Sequence, residues 1–153
     1  MSFAKISAEW LISKPSQHLL STLRSAGFAA FFVGGCVRNT LLGEAVSDLD
    51  VATDALPEDV TDLAQEAGVR VVPTGLAHGT VTVLVEAQRF EVTTFRKDVS
   101  TDGRHAEVQF SKSLEADARR RDFTMNALYV DREGQVIAPV GGIQDLRDRQ
   151  RRI

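Results

Sequence analysis

The sequence predicts an α+β (mixed α/β) fold, a mixed and mainly antiparallel sheet with helices packed on one side. Two observations carry that expectation. Strand and helix patterns are interspersed without the regular beat of a doubly wound βαβ fold. The Val- and Thr-rich stretch from Arg70 to Phe95 also contains two strand patterns separated by only Ala87-Gln88, which is hairpin spacing. With 153 residues, 43% of them hydrophobic, the chain fits one domain over residues 1–153 that buries a real core.

In chain order, Leu19, Leu20, Leu23 and Ala26 recur at helical spacing between Ser16 and Gly27, and Gly27 marks the stop. Residues 28–33 are a continuous apolar run, the pattern of a buried strand, and they end in Gly34-Gly35. A short helix from Val37 to Leu42 closes at Gly43, and the polar-apolar alternation from Ser47 to Thr53 reads as a second strand. Pro57-Glu58-Asp59 starts a helix that runs to Gly68, with acids favoured by the helix dipole. Strands follow at Arg70–Val72, Gly79–Glu86 and Arg89–Phe95. The polar, aperiodic residues from Arg96 to Ala106 predict a mobile loop, after which Glu107 resumes a strand. Ser113 opens a helix reaching about Arg121, and a small hairpin is expected around Glu133-Gly134.

Charge and composition exclude several classes. No run of about 18 apolar residues occurs, and the N-terminus lacks the apolar core of a signal peptide, so the protein reads as cytoplasmic with no membrane partner. The single cysteine, Cys36, has no disulfide partner and no second thiolate for a zinc site. A net charge of −3 argues against a general nucleic-acid coat. Its distribution is uneven: residues 1–116 carry 10 Lys/Arg against 15 Asp/Glu, while residues 117–153 carry 8 against 6. The chain stops at Arg151-Arg152-Ile153 without a cap or turn signal. It is therefore expected to be a piece of a longer protein, or a short form whose remaining parts lie on another chain.

The chemistry centres on Asp48-Leu49-Asp50. On a strand, an i, i+2 pair points both carboxylates to one face. Two Mg²⁺ ions about 3.5–4 Å apart can activate an attacking hydroxyl and neutralise a leaving pyrophosphate, and Mg²⁺ asks for oxygen ligands such as these. Upstream, Gly34-Gly35 let the backbone approach an anion, the following helix N-terminus offers free N–H groups, and Arg38 adds a guanidinium suited to phosphates. A tight turn with a surface arginine is the alternative for that segment. Glu91, on a predicted strand, is the candidate third carboxylate. Arg121, Asp122 and Asn126 can hold ribose hydroxyls and a phosphate, or else form a capped helix end. No P-loop signature is present.

These segments together resemble the class II branch of the polymerase β-like nucleotidyltransferases, the family of bacterial CCA-adding enzymes and poly(A) polymerases. The resemblance rests on five ordered motifs: residues 34–43 from Gly34-Gly35 through Arg38, Asp48-Leu49-Asp50-Val51-Ala52-Thr53, His78-Gly79-Thr80-Val81, Glu91-Val92-Thr93-Thr94-Phe95-Arg96, and Arg121-Asp122-Phe123-Thr124-Met125-Asn126-Ala127. It implies that Asp48 and Asp50 bind two Mg²⁺ ions, with Glu91 the third carboxylate. By the same resemblance, Gly35 and Arg38, beside Gly34, meet the triphosphate, and Arg121, Asp122 and Asn126 hold the sugar. The stretch from Asp98 to His105 falls where the family has a flexible loop that helps switch nucleotide specificity, with Arg104 its expected functional residue. One departure is visible: Asn39 stands where the family commonly has Asp, so it is left out of the site.

The implied activity is template-independent transfer of nucleotidyl groups from CTP and ATP to the 3′ end of a tRNA. Poly(A) addition is one alternative, and an NTP-binding module inactive without its neck domain is another. The family's base-reading neck and tRNA-gripping domains have no counterpart before Ile153, so a missing C-terminal region or a separate chain is expected to supply them.

Overall fold

The first described elements are two consecutive helices, α1 (Glu9–Ile12) and α2 (Lys14–Ser25). Ser13 caps the second by accepting from the Ser16 N–H, and Pro15 occupies its first turn. There follow β1 (Ala30–Val33), α3 (Gly35–Leu42), β2 (Asp50–Thr53), α4 (Pro57–Glu66), β3 (Arg70–Gly75), β4 (Thr80–Val85), β5 (Gln88–Thr94), β6 (Arg96–Ser100), β7 (Ala106–Phe110), α5 (Leu114–Arg119), β8 (Tyr129–Val130) and β9 (Val136–Ile137). The computed structural model describes residues 5–75, 79–100, 106–121 and 126–139. Among the described residues no helix is long and apolar enough to cross a membrane.

Seven strands form one mixed sheet in the order β3-β4-β5-β2-β1-β8-β9, and β6 and β7 form a separate antiparallel ribbon. Every neighbouring pair in the large sheet is antiparallel except β2 and β5, which run parallel. This is the mainly antiparallel, mixed sheet that the sequence predicts.

Alternation along the strands divides the sheet into two faces. One face carries Phe32, Val51, Val81, Val83, Phe90 and Val92, all buried against the apolar stripes of the helices, including Leu19, Leu20 and Leu23 of α2 and Val60 and Ala64 of α4. Trp10 of α1 closes this core edge-on to Phe32, with ring centroids 5.1 Å apart, and donates from its indole nitrogen to Thr40 on α3 at 2.9 Å. The other face is covered over part of its area. Val33, Ala52, Phe95, Ala127 and Tyr129 pack there with Ala118 of α5, so α5 stands apart from the helices of the main core.

Three local expectations change. The stretch after Arg96 is a strand at Arg96–Ser100 paired with Ala106–Phe110, because backbone pairing can fix a strand without any apolar alternation in its sequence. Residues 101–105 of the expected loop lie outside the described residues. Strand β2 begins at Asp50, so Asp48 precedes the strand that was expected to hold both aspartates. Finally, the β4–β5 turn is Glu86-Ala87, with φ of 47° and 69°, rather than Ala87-Gln88. Both central residues are left-handed, as the twist of a two-residue hairpin demands. The shift makes Thr82 the cross-strand partner of Glu91, where the expected turn would give Leu84.

Candidate active site

Sheet register gathers the central acids. Asp50 lies opposite Val33 on β1 and opposite Glu91 on the parallel strand β5. Thr82 on β4 continues the row beyond Glu91, and Tyr129 on β8 continues it beyond Val33. Directly paired residues share a face, so the row Thr82, Glu91, Asp50, Val33, Tyr129 crosses the side of the sheet away from the main core. Asp48, Asp50, Arg89 and Glu91 line an open cleft of about 480 Å³ on that side.

Glu91 is held from two directions. The Thr82 hydroxyl donates to its Oε1 at 3.0 Å and Oε2 at 3.1 Å, and Arg89 Nε donates to Oε1 at 3.0 Å. Arg89 is 66% exposed, so this ion pair contributes orientation more than stability. Asp50 has the opposite character. Burial, then the neighbouring charges of Asp48 and Glu91, push its carboxyl above the usual range, and Arg121 offsets only part of that rise. A half-buried acid destabilised by two further acids is an environment that a cation relieves. Among the described residues no three His, Cys, Asp or Glu side chains are gathered closely enough to hold a metal ion by themselves. The acids therefore border one cleft without forming a closed cage. Mg²⁺ fits such a donor set, because it commonly takes one or two carboxylates and completes its shell with water and substrate phosphates.

The β1–α3 turn makes the neighbouring wall. Gly34 adopts φ 80° and ψ −132°, a conformation that side-chain-bearing residues avoid, and its N–H donates to Leu128 O at 3.2 Å. Helix α3 then starts at Gly35, and its first-turn N–H groups have no carbonyl within the helix to receive them. Arg38, one turn in, donates from Nη1 to Asn126 Oδ1 at 2.6 Å and from Nε to Asn39 Oδ1 at 3.1 Å. Asn39 in turn donates to Ala45 O at 3.0 Å, fastening the loop that leads to Asp48. An amide can accept from Arg38 and donate to Ala45 at once; a carboxylate could only accept. Cys36, beneath this turn, is buried and its thiol is pushed up to about 12, mainly by desolvation, which removes it as a nucleophile at neutral pH.

Arg121 lies just beyond α5. Its Nη2 donates to Asp117 Oδ2 at 3.1 Å, its Nε donates to the Tyr129 hydroxyl at 3.3 Å, and its guanidinium stands 5.7 Å from the Tyr129 ring centre. Of the residues picked from the sequence, Asp48, Asp50 and Glu91 share the cleft, Gly34 and Gly35 form the turn, and Arg38 meets Asn126. Arg104, Asp122 and His78 lie outside the described residues. Thr82, Arg89, Asp117 and Tyr129 were not anticipated, and Asn39, left out of the site on sequence grounds, braces Arg38. Thr82 follows from the hairpin register once the turn is placed at Glu86-Ala87, and Asp117 is signalled by its i, i+3 and i, i+4 spacing from Arg120 and Arg121.

The family described as Poly A polymerase head domain matches residues 30–152. A CCA-adding enzyme from Streptococcus pyogenes is 42% identical over 149 residues, covering 93% of this chain and 36% of the relative. Among solved structures, a Bacillus stearothermophilus CCA-adding enzyme in complex with CTP is 42% identical with a TM-score of 0.76, covering 88% of this chain and 31% of the other. A tRNA nucleotidyltransferase complexed with a primer tRNA and an incoming ATP analog is 30% identical with a TM-score of 0.64, covering 85% of this chain and 36% of the other. The chain thus spans about a third of the length of the relatives it matches.

Proposed function

Because this chain belongs to the Poly A polymerase head-domain family, we propose that it is the catalytic head of a template-independent RNA nucleotidyltransferase that adds CTP- and ATP-derived nucleotides to the 3′ end of tRNA. The observation that carries the proposal is the in-register pairing of Asp50 with Glu91 beside Asp48, on the open face of the sheet. Names of the relatives favour CCA addition over poly(A) addition.

Asp48 and Asp50 would hold two Mg²⁺ ions together with the nucleotide phosphates, and Glu91, kept in place by Thr82 and Arg89, is the third carboxylate. When bound, the ions supply activation of the primer 3′-hydroxyl and neutralisation of the leaving pyrophosphate. Gly34 and Gly35 leave room for the triphosphate at the start of α3, where the helix dipole favours its charge. Arg38, braced by Asn126 and Asn39, orients the phosphates. Arg121, Asp122 and Asn126 contact the ribose, and Arg104, which falls between β6 and β7 in the chain, helps switch nucleotide specificity.

The test is incubation of the chain with CTP, ATP, Mg²⁺ and a tRNA lacking its terminal CCA. Sequential C, C and A incorporation is expected, and it should vanish in Asp50→Ala. Tails of A alone would replace the proposal with poly(A) addition. Absence of product despite measurable CTP binding would reduce the chain to a nucleotide-binding module that needs its neck.

A further inference from the structure

We infer that Asp117 is a positioning residue for the nucleotide site, acting through Arg121; the inference rests on the reading of Arg121 as a nucleotide contact. Asp117 is only 1% exposed, yet its carboxylate is filled by four donors. Oδ1 accepts from the backbone N–H of Arg96 at 3.0 Å and from Arg120 Nε at 3.1 Å. Oδ2 accepts from Arg121 Nη2 at 3.1 Å and from the Tyr129 hydroxyl at 2.6 Å.

The placement of those donors is what gives the carboxylate a task beyond packing. Tyr129 belongs to the cross-sheet row that contains Asp50 and Glu91. Its hydroxyl receives Arg121 Nε while donating to Asp117, so the guanidinium is clamped along one edge by a pair of groups anchored to the sheet and to α5. A single buried acid faces two guanidiniums, both largely covered, at 15% and 18% exposure. The charge of Arg121 also reaches Asp50, so the clamped guanidinium acts on the same cleft as the candidate metal ligands. The Arg96 N–H, at the root of the β6–β7 ribbon, is bound to the same carboxylate. The ribbon and Arg121 therefore share an anchor, and the aim of the guanidinium depends on Asp117 more than on the flexible arginine stem.

A buried network of this kind can also serve the fold alone, and a double-mutant cycle separates the two roles. CTP binding is measured for wild type, Asp117→Asn, Arg121→Ala and the double variant, below the unfolding midpoint of each. If Asp117 acts through Arg121, each single variant binds CTP about ten-fold more weakly, and the double variant binds no more weakly than Arg121→Ala. Losses that multiply, or an Asp117→Asn variant that binds like wild type, would overturn the role. Should Asp117→Asn not fold, Tyr129→Phe takes its place in the same cycle, since it removes the hydroxyl and keeps the ring. A wild-type chain that binds no CTP overturns the nucleotide-site reading and this role with it, whereas CTP binding with multiplying losses overturns only the role.

Discussion

At the scale of single residues, the half-buried Asp50 and the buried Asp117 shift in opposite directions, and the contrast separates a ligand site from a structural one. Asp117 would be raised by desolvation, but Arg121, the Tyr129 hydroxyl, Arg120 and the Arg96 N–H outweigh burial and hold it below the usual carboxylate range. A lowered folded-state pKa stabilises the fold above the ordinary value near 3.8, and that contribution is lost as pH falls through the folded value. For Asp50 the sign reverses. Its raised pKa means that the folded state binds the proton more readily than the unfolded chain, so this group favours folding at low pH and opposes it once ionised. A bound cation should cancel that cost. Calorimetric melts at pH 7 without divalent ions should therefore find Asp50→Asn at least as stable as wild type, and millimolar Mg²⁺ should raise the wild-type midpoint alone. An equal Mg²⁺ effect on both would detach Asp50 from the cation. Thr82→Val probes the same site from its supporting side, because it deletes the hydroxyl that spans both oxygens of Glu91 and keeps the side-chain shape. Nucleotidyl transfer should fall by about 10–100-fold, the usual cost of removing a group that orients a metal-binding carboxylate; unchanged transfer would leave Arg89 as the sufficient support.

Among elements, legibility in the sequence followed how much of the signal was local. Helix α2 and strands β1, β4 and β5 declare themselves through apolar spacing, since each buries one stripe or face in the main core. Helix α1 has only four residues and no periodicity to display; Trp10 holds it through Phe32 and Thr40, which are distant in sequence. The ribbon strand β6 is polar and is fixed by backbone pairing. The site divides the same way. Gly34-Gly35, Arg38, Asp48, Asp50 and Glu91 were visible as residue types in a pattern, while Thr82, Tyr129 and the bracing role of Asn39 became visible only through register and tertiary contact. The β8–β9 turn is an instance of contact that no local rule supplies. Gly134 has φ of 89°, donates to Asp131 O at 3.1 Å, and accepts from the Ile6 N–H at 2.8 Å, while Gln135 bridges to Lys5. A Cβ at position 134 would collide with the Ile6 carbonyl oxygen, which is backbone and cannot swing away. Gly134→Ala should cost about 1–3 kcal/mol from the left-handed conformation alone, and more if the N-terminal segment detaches. Denaturant melts, with amide exchange at Ile6, would register both; an unchanged melt would mean that the segment is not pinned by this turn.

For the molecule as a whole, the two faces of the sheet divide the work, and stability and chemistry should come apart by mutation. The helix-covered face holds the main core, in which Leu20, Phe32 and Phe90 have no exposed surface. The opposite face carries Glu91 and Asp50 beside an open cleft, where side chains meet solvent and few apolar contacts depend on them. Leu20→Ala removes a buried side chain at a cost of about 2–5 kcal/mol, equivalent to a midpoint lowered by roughly 2–4 °C per kcal/mol in a chain of this size. It leaves every residue of the cross-sheet row untouched. CTP affinity measured well below its midpoint should therefore match wild type. Glu91→Gln keeps the hydrogen-bonding shape but removes the charge, so it should stop nucleotide transfer while moving the midpoint by only a few degrees, as expected of a site away from the core. Each variant is thus predicted to change one measurement and spare the other. A Leu20→Ala chain that lost CTP binding at low temperature would show that packing under the sheet sets the alignment of Asp50 and Glu91, and that the two faces act as a single unit.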